Sequence, residues 1–544
     1  VTPIHSTSVL IAGGGPVGLA TAVELGTRGI DCTVLEPRTV IAPLRPRAKS
    51  SSARTMEHFR RWGLADRLRK AASLPVSLSQ QAVYCSTLLG HEITRVDECF
   101  GLTAGRRDVF SESGQQVAQP VVETVLREAI AELPTVRLAL GWKLTGCSQT
   151  DSAVLAEATD ENGEARQITA DYLVGCDGPD STTRAAIGGR LEGTADARAN
   201  RSIIFRAPGL AERVPHGPAV HYWIVNSRFT GVMGRMNLED VWWINVSATT
   251  MEQDGLMTPE ALVQAYVGAP LDCEVLATST WHARMQLADN YQRERIFLAG
   301  DAAHLNPPWG GHGYNTGVGD AVNIGWKLAA ALQGWGGPEL LRSYQTERRA
   351  VAQETIALTT ATMRASVAMR PTPALESDGA DGEQARSELA KIVWRTMEGE
   401  FHSLGLVLGY AYPHSSVVVP DESDASDDIP VVASLIDYEP STRPGARLPH
   451  AWLPDGRSLY DLLGAGLTLL VHQESDIEAW AETAERRGVP LTVVRLDGLL
   501  PAPDSGTAAL LVRPDQHIAW RGTGKPLTAD EADAVLARVT GMPG

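Results

Sequence analysis

Cysteine is sparse in this chain, and what there is stops early. Six thiols are scattered over 544 residues, at Cys32, Cys85, Cys99, Cys147, Cys176 and Cys273, with none beyond. No two stand at C-x-x-C spacing, so they read as reduced core thiols of a cytoplasmic protein. Long hydrophobic runs are missing too. No uninterrupted apolar stretch approaches membrane-spanning length, and the opening VTPIHSTSVLIAGGG has neither a basic start nor a cleavage-like site, so neither insertion nor export is expected. Positive charge is in deficit: 48 Lys and Arg against 65 Asp and Glu leave a net charge of −17. That balance argues against non-specific binding to nucleic acid or an anionic membrane and favours a small neutral or cationic partner, while leaving room for a local basic pocket. Internal repeats and long low-complexity tracts are absent as well.

The composition that remains, 43% hydrophobic and 21% charged, is that of a soluble globular chain long enough for two or three domains. Residues 8–36, SVLIAGGGPVGLATAVELGTRGIDCTVLE, read as strand, glycine turn, amphipathic helix and second strand. In this βαβ unit, Gly13-x-Gly15-x-x-Gly18 supplies a tight turn, close backbone approach to a pyrophosphate and close helix packing, and the helix N-terminus faces the phosphates. Glu36 ends the second strand, where a carboxylate accepts hydrogen bonds from a ribose diol and repels a 2′-phosphate. FAD or NAD therefore suits this site better than NADP.

Two further elements follow. DYLVGCDGPDSTTR (171–184) reads as a strand ending at Asp177 and a helix entered through Ser181 and Arg184, with an ordinary Asp-capped turn as the plain alternative. GDAAHLNPPWGGHGYNTG (300–317) sets Asp301 just after the apolar run 296–299. Pro307 and Pro308 stiffen the approach, and the glycines allow backbone N–H groups close to a planar ligand. The run GVGDAVNIGWKLAAAL then supplies a helix whose positive end points back at that ligand. Between about 190 and 280, segments such as AVHYWIV and VWWINVSA read as strands of a separate antiparallel sheet. The clearest linker is PTPALESDGADGE at 371–383, with a second polar loop at 420–430. Beyond it, LTLLVHQ, DIEAWAETAERRG, LTVVRLD and AALLVRP alternate as strands and helix of a smaller α/β domain.

IAGGGPVGLATAVELGTRGIDCTVLE, PRAKSSSARTMEHFRRWGL, CDGPDSTTR and the long GDAAHLNPPWGGHGYNTGVGDAVNIGWKLAAALQG segment together resemble the class A FAD-dependent aromatic hydroxylases of the para-hydroxybenzoate hydroxylase-like fold. RPGARLPHAWLPDGRSLYDLLG and LVRPDQHIAWRG resemble the thioredoxin-like C-terminal domain of the phenol hydroxylase and aromatic polyketide hydroxylase branch. Lacking cysteine here, that domain cannot exchange disulfides. The resemblance implies an α/β fold: a Rossmann-like FAD-binding domain assembled from 1–75, 100–185 and 280–370, a substrate-binding sheet domain from 76–99 and 186–279, linker and helix at 371–430, and the thioredoxin-like domain at 431–544.

The same resemblance places Gly13, Gly15, Val17 and Gly18 around the FAD pyrophosphate and Glu36 on the adenosine ribose. It sets Arg47 beside the mobile flavin, Gln119 near the ribityl or pyrophosphate, and Asp301 on the same side. Gly313, Tyr314 and Asn315 then line the flavin pyrimidine ring, and Asp177 belongs to a motif serving FAD and NAD(P)H. Lys49 to Ser52 departs from the glycine- and asparagine-rich sequence usual there, and His312 with Tyr314 makes a bulkier flavin loop. The implied activity is NAD(P)H-dependent reduction of FAD and transfer of oxygen from O2, through a flavin C4a-hydroperoxide, to an aromatic substrate, a phenolic polyketide or related natural product. Arg47, Pro308, His221, Tyr222 and Arg235 are the residues expected around the reacting atoms, with Trp223 and Asn237 as further substrate contacts. His304 and His312 read mainly as loop residues. Of the thirteen tryptophans, some could wall a flat pocket, although core packing explains them equally well.

No metal, nucleic acid or membrane partner is expected, and the protein is expected as monomer or homodimer. Ring insertion of the Baeyer–Villiger type, a flavin reductase or dehydrogenase without oxygen insertion, and a non-enzymatic flavin scaffold remain open alternatives.

Overall fold

Val9, Leu10, Ile11 and Ala12 are apolar without a break, the pattern of a strand covered on both faces, and all four are buried in the strand Ser6–Ala12. The helix Pro16–Gly26 follows, with proline in its first turn, and then the strand Cys32–Glu36. Gly13 makes the connection at φ +102°, and a Cβ there would stand 2.3 Å from the Cys176 carbonyl oxygen. A Cβ on Gly18 would stand 1.9 Å from the Gly13 carbonyl oxygen. Only glycine fits either place. These coordinates are a computed structural model that describes residues 6–44, 47–197, 199–247, 258–369, 371–421, 429–471, 477–496, 507–522 and 527–543.

The first strand pairs in parallel with Cys32–Glu36 on one side and Ala165–Gly175 on the other. Val136–Leu140 and Ile296–Leu298 extend the parallel run outward. Three distant parts of the sequence thus bring their strand ends, at Ala12, Glu36, Gly175 and Leu298, to one edge. In such sheets ligands bind outside that edge. The hairpin Trp142–Gln149 and Val154–Asp160 joins antiparallel to Ala165–Gly175.

The second sheet has seven strands in the order Glu274–Trp281, Asn200–Arg206, Val241–Val246, Thr230–Arg235, His221–Val225, Ala82–Cys85 and Glu92–Val96. It is antiparallel except where His221–Val225 meets Ala82–Cys85 in parallel, because those strands arrive from separate passages of the chain. The C-terminal unit carries the sheet Leu491–Arg495, Leu467–Val471, Ala509–Val512 and Ile518–Gly522, packed with the helices Ile477–Arg486 and Ala529–Thr540. All six cysteines are free thiols.

Two long helices, Pro338–Ala368 and Ala380–Phe401, complete the frame. The linker between them is not a loose tether: it contains the turn Pro373–Glu376, buries Leu375, and accepts a 3.0 Å hydrogen bond from the Ser227 hydroxyl on Glu376. Most of the second polar loop, 422–428, lies outside the described residues. The periodic run RTMEHFRRWGLADRLRKA is two helices, Ala53–Arg61 and Ala65–Ala71, broken where Gly63 turns at φ +73°. Its charged residues turn inward as well: Arg61 pairs with buried Glu24, the Trp62 Nε1–H donates to the same carboxylate at 2.7 Å, and Arg60 reaches Asp461.

Candidate active site

Two helices begin at the edge where the parallel strands end. Neither Pro16–Gly26 nor His312–Leu332 has a side-chain cap, so the first-turn N–H groups of both are open to whatever lies in front of them. The second helix starts at His312, earlier than the GVGDAV run, because Gly311 adopts the left-handed conformation (φ +66°) that turns the chain into it. In front of both lies a groove of about 530 Å³ bordered by Gly13, Gly15, Val17, Gln119, Asp301 and Gly313. A Cβ added to Gly15 would meet no atom within 4 Å, so the backbone there faces open groove. Two uncapped helix ends, a glycine with nothing before it and a carboxylate at a strand end are what an FAD pyrophosphate and ribose need. The residues present fit the cofactor.

Glu36 ends its strand buried, with Oε2 accepting from the Gly14 N–H at 2.8 Å and Oε1 from the Arg38 guanidinium at 2.7 Å. Gln119 spans the groove floor, its amide donating to Glu123 at 2.7 Å and accepting from the Ala48 N–H at 3.3 Å. Asp301 stands half-exposed in the groove, 3.9 Å from the Arg47 guanidinium. The Gly300 N–H just before it donates to Asp320 at 3.0 Å, and Asp320 is itself buried between His304 and Arg348, each at 2.8 Å. Burial alone would lower the His304 pKa, but the Asp320 carboxylate outweighs it and the net shift is upward. His304 is therefore a buried brace for the loop that carries Asp301, not a groove residue.

Asp177 and Asn315 border or adjoin the groove, yet their side chains are occupied locally. Asp177 accepts from the Ser181 hydroxyl at 2.5 Å and from the Thr183 N–H at 2.9 Å, holding the turn into the helix Thr182–Ala186. Asn315 accepts from the Ser52 N–H at 2.8 Å and the Thr55 hydroxyl at 2.7 Å, pinning the 50–55 segment to the second helix. Tyr314 borders the groove, and its buried hydroxyl lies 3.4 Å from that of Ser51.

A second cavity, of about 580 Å³, opens against the seven-stranded sheet. Arg47, Ala48, Pro308 and Gly311 border both spaces, so the two meet at these four residues. His221 and Trp223 line the second cavity. Tyr222 does not, because neighbours on a strand point to opposite faces. Its ring packs into the core behind the sheet, and its hydroxyl donates to the Gly217 carbonyl at 2.6 Å and accepts from the Ala219 N–H at 3.0 Å. Arg235 is likewise away from the cavity, bracing a turn through the carbonyls of Asn237 and Leu238, while Asn237 accepts from the Val241 N–H. The sequence expectation for Tyr222 and Arg235 is corrected on these grounds. Tyr222→Phe is expected to lower stability by about 1–2 kcal/mol, through two backbone groups left unpaired, with ligand affinity unchanged in a fluorescence titration.

Sequence reading missed several wall residues. Tyr84, stacked on Trp223 at 5.5 Å, arrives on a strand from residues 82–85. Trp309 comes from the proline–glycine loop, and Glu400 from the helix beyond the linker. Burial pushes the Glu400 carboxyl up to about 8, and its one described hydrogen bond is from the Gly310 N–H at 2.8 Å. Burial, with Lys49 nearby, holds the His221 imidazole down at about 3, so it is neutral near pH 7. Four tryptophans, at 223, 243, 281 and 309, line the cavity, and the rest do not. His312 is buried at the helix start and borders neither the groove nor this cavity.

Known proteins are similar to this chain along most of its length. Residues 6–359 match the FAD binding domain family, and residues 441–543 the aromatic-ring hydroxylase C-terminal family. The FAD-dependent monooxygenase apdD of Emericella nidulans is 31% identical over 99% of this chain and 91% of its own. Aklavinone 12-hydroxylase RdmE of Streptomyces purpurascens is 30% identical over 98% of this chain and 99% of its own. A solved structure of RebC, soaked with chromopyrrolic acid and holding 7-carboxy-K252c, superposes with a TM-score of 0.89 at 34% identity, covering 99% of this chain and 100% of that one. Among the described residues no helix is long and apolar enough to cross a membrane. With the FAD binding domain family matched over residues 6–359 and relatives aligned along nearly its whole length, the chain belongs to the FAD-dependent aromatic-ring monooxygenases.

Proposed function

We propose that the protein hydroxylates a polycyclic phenolic aromatic of polyketide or related natural-product origin, with FAD, NAD(P)H and O2. The observation that carries this reading is the junction of the two spaces at Arg47, Ala48, Pro308 and Gly311, which lets a flat molecule in the tryptophan-walled cavity approach a ligand in the groove. The relative named for aklavinone and the RebC structure holding 7-carboxy-K252c support a polycyclic substrate, while relatives named for phenol and 2,4-dichlorophenol match over the same length, so the choice rests on the cavity.

When bound, FAD supplies hydride acceptance from NAD(P)H and activation of O2. The chain itself must orient, exclude water and manage charge. The uncapped N-terminus of His312–Leu332 stabilises negative charge developing in front of it. Pro308, with fixed φ and no N–H, holds the wall between the two spaces without adding a donor that would need water. Trp223, Trp243 and Trp309 offer flat apolar surface that positions an aromatic ring and keeps the cavity dry. Near pH 7, neutral His221 and largely protonated Glu400 place hydrogen-bonding groups on that wall without a fixed charge.

The test is anaerobic reduction of the protein-bound flavin by NADPH and by NADH, with and without hydroxylated anthraquinones and tetracyclic phenols. Reduction accelerated by a ligand, followed by a product whose NMR spectrum shows a new phenolic carbon, is the expected result. A lactone product would replace hydroxylation with ring insertion, and rapid reduction without ligand or oxygenated product would replace it with a reductase.

A further inference from the structure

Three cations of this acidic chain, Arg47, Lys49 and Arg228, line the second cavity, and Lys49 is the one whose amine lies over the Trp243 ring. Lys49 stands in the segment that departs from the family pattern and lines the second cavity, next in the chain to the junction residue Ala48. Its backbone is fixed on both sides: the Val117 N–H donates to the Lys49 carbonyl at 2.9 Å, the Gln119 N–H donates to that of Ala48 at 2.9 Å, and Ser50–Ser51 pairs with Gln115–Gln116. The side chain is thereby aimed into the cavity, with Nζ 4.3 Å above the centroid of the Trp243 ring.

An ammonium group has three donors and needs a counterion when water is removed. Among the described residues, Lys49 donates one hydrogen bond, a 3.4 Å contact to the Arg47 carbonyl, and no carboxylate lies within ion-pair distance of it. The neighbouring Arg47 is turned toward Asp301 on the groove side. Glu400, on the same cavity wall, gives its carboxyl to Gly310 rather than to Lys49. Burial accordingly pulls the Lys49 amine down to about 8, the direction expected of a cation without a partner.

We infer that Lys49 is a specificity-determining residue that receives an anionic oxygen of the substrate, a carboxylate or a phenolate, at the flavin end of the cavity. This rests on the proposed function and narrows it to acidic polycyclic aromatics. An anion over Trp243 supplies Lys49 with the counterion that no described carboxylate provides, and the cation–π contact holds the amine at the cavity wall. A phenolate so held feeds electron density into its own ring close to the junction. A carboxylate so held instead fixes which edge of the ring system enters first.

The experiment is a binding titration on the FAD-loaded protein, read by quenching of tryptophan fluorescence, with wild type, Lys49→Met and Lys49→Arg. The probes are anthracene-2-carboxylate, its neutral carboxamide, and 1,8-dihydroxyanthraquinone. FAD content and thermal unfolding of each variant establish that it is loaded and folded. Lys49→Met is expected to weaken at least one acidic probe by about tenfold or more, the scale of a charge-assisted hydrogen bond, and the carboxamide by less than about threefold, with Lys49→Arg restoring most of the loss. Loss on the anthracene carboxylate assigns a carboxylate, and loss on the anthraquinone a phenolate. Equal losses on acidic and neutral probes, or no loss on any, would overturn the inference. Because binding is read without turnover, a Lys49-dependent acid site with no oxygenated product would instead count against the hydroxylase reading alone.

Discussion

Gly15→Val is expected to leave the fold intact and remove most FAD affinity. The two glycines flanking it in the motif are tied to the protein itself: a Cβ at Gly13 or Gly18 would collide with backbone oxygens at 2.3 and 1.9 Å, so substitutions there confuse folding with binding. Gly15 has no protein atom within 4 Å of its would-be Cβ. Any penalty on binding must therefore come from what enters the groove. A branched side chain in front of the first turn of Pro16–Gly26 keeps a pyrophosphate from its N–H groups, and losing one or two charge-assisted hydrogen bonds costs about 2–4 kcal/mol, or ~30- to 1000-fold in Kd. Apoprotein thermal unfolding and FAD titration measure the two quantities separately. Unchanged FAD affinity in a folded Gly15→Val protein would mean that the pyrophosphate lies elsewhere.

This motif was readable in the sequence because everything it needs is local. A strand, a turn and a helix lie within thirty residues, and the φ and contact demands on Gly13 and Gly18 follow from that geometry alone. Glu36 follows from the end of the next strand for the same reason. The second cavity was far less legible. Its wall draws on strands from residues 82–85 and 221–246, a loop at 308–311 and a helix ending at Phe401, and no periodicity within any one segment marks which side faces the ligand. The HYW tripeptide shows the limit. Its composition promised a polar and aromatic wall, but only the pleat decides that His221 and Trp223 face the cavity while Tyr222 faces the core. Glu400 gave no signal at all, since it lies on a helix otherwise read as a connector. Lys49 did give one, as a departure from the expected composition, although only its place over Trp243 with no described carboxylate beside it gives that departure a physical sense.

The C-terminal unit presents a similar contrast, and it yields the largest stability effect. Three of its four strands and the absence of thiols were plain from the sequence, whereas the strand Ile518–Gly522, the helix Ala529–Thr540 and the way the unit grips the rest of the molecule were not. Glu347, on the helix Pro338–Ala368, accepts two hydrogen bonds from the C-terminal Arg513 guanidinium at 2.6 and 2.8 Å and one from the Lys327 ammonium at 2.7 Å. Their side chains have no exposure. Arg513 also pairs with Asp515 at 2.6 Å, so the cluster holds two cations and two carboxylates in balance. Burial opposes ionisation of Glu347, but Arg513 and Lys327 more than offset it and hold the carboxyl well below its usual range.

Glu347→Ala is therefore expected to cost about 3–5 kcal/mol, because it strands an ammonium in the interior and leaves Arg513 with one partner. The double change Lys327→Met with Glu347→Leu removes one charge of each sign and keeps the Arg513–Asp515 pair, so it should recover much of that loss. A strictly additive result in denaturant unfolding would show that the cluster is not electrostatically coupled. The pH dependence has a definite sign. A carboxyl whose folded pKa is depressed stabilises the fold fully above its unfolded value near 4.5 and loses that contribution as pH falls toward the folded value. Wild type should thus lose stability steeply below about pH 4.5, whereas Glu347→Ala, lacking this titration, should start lower and fall less.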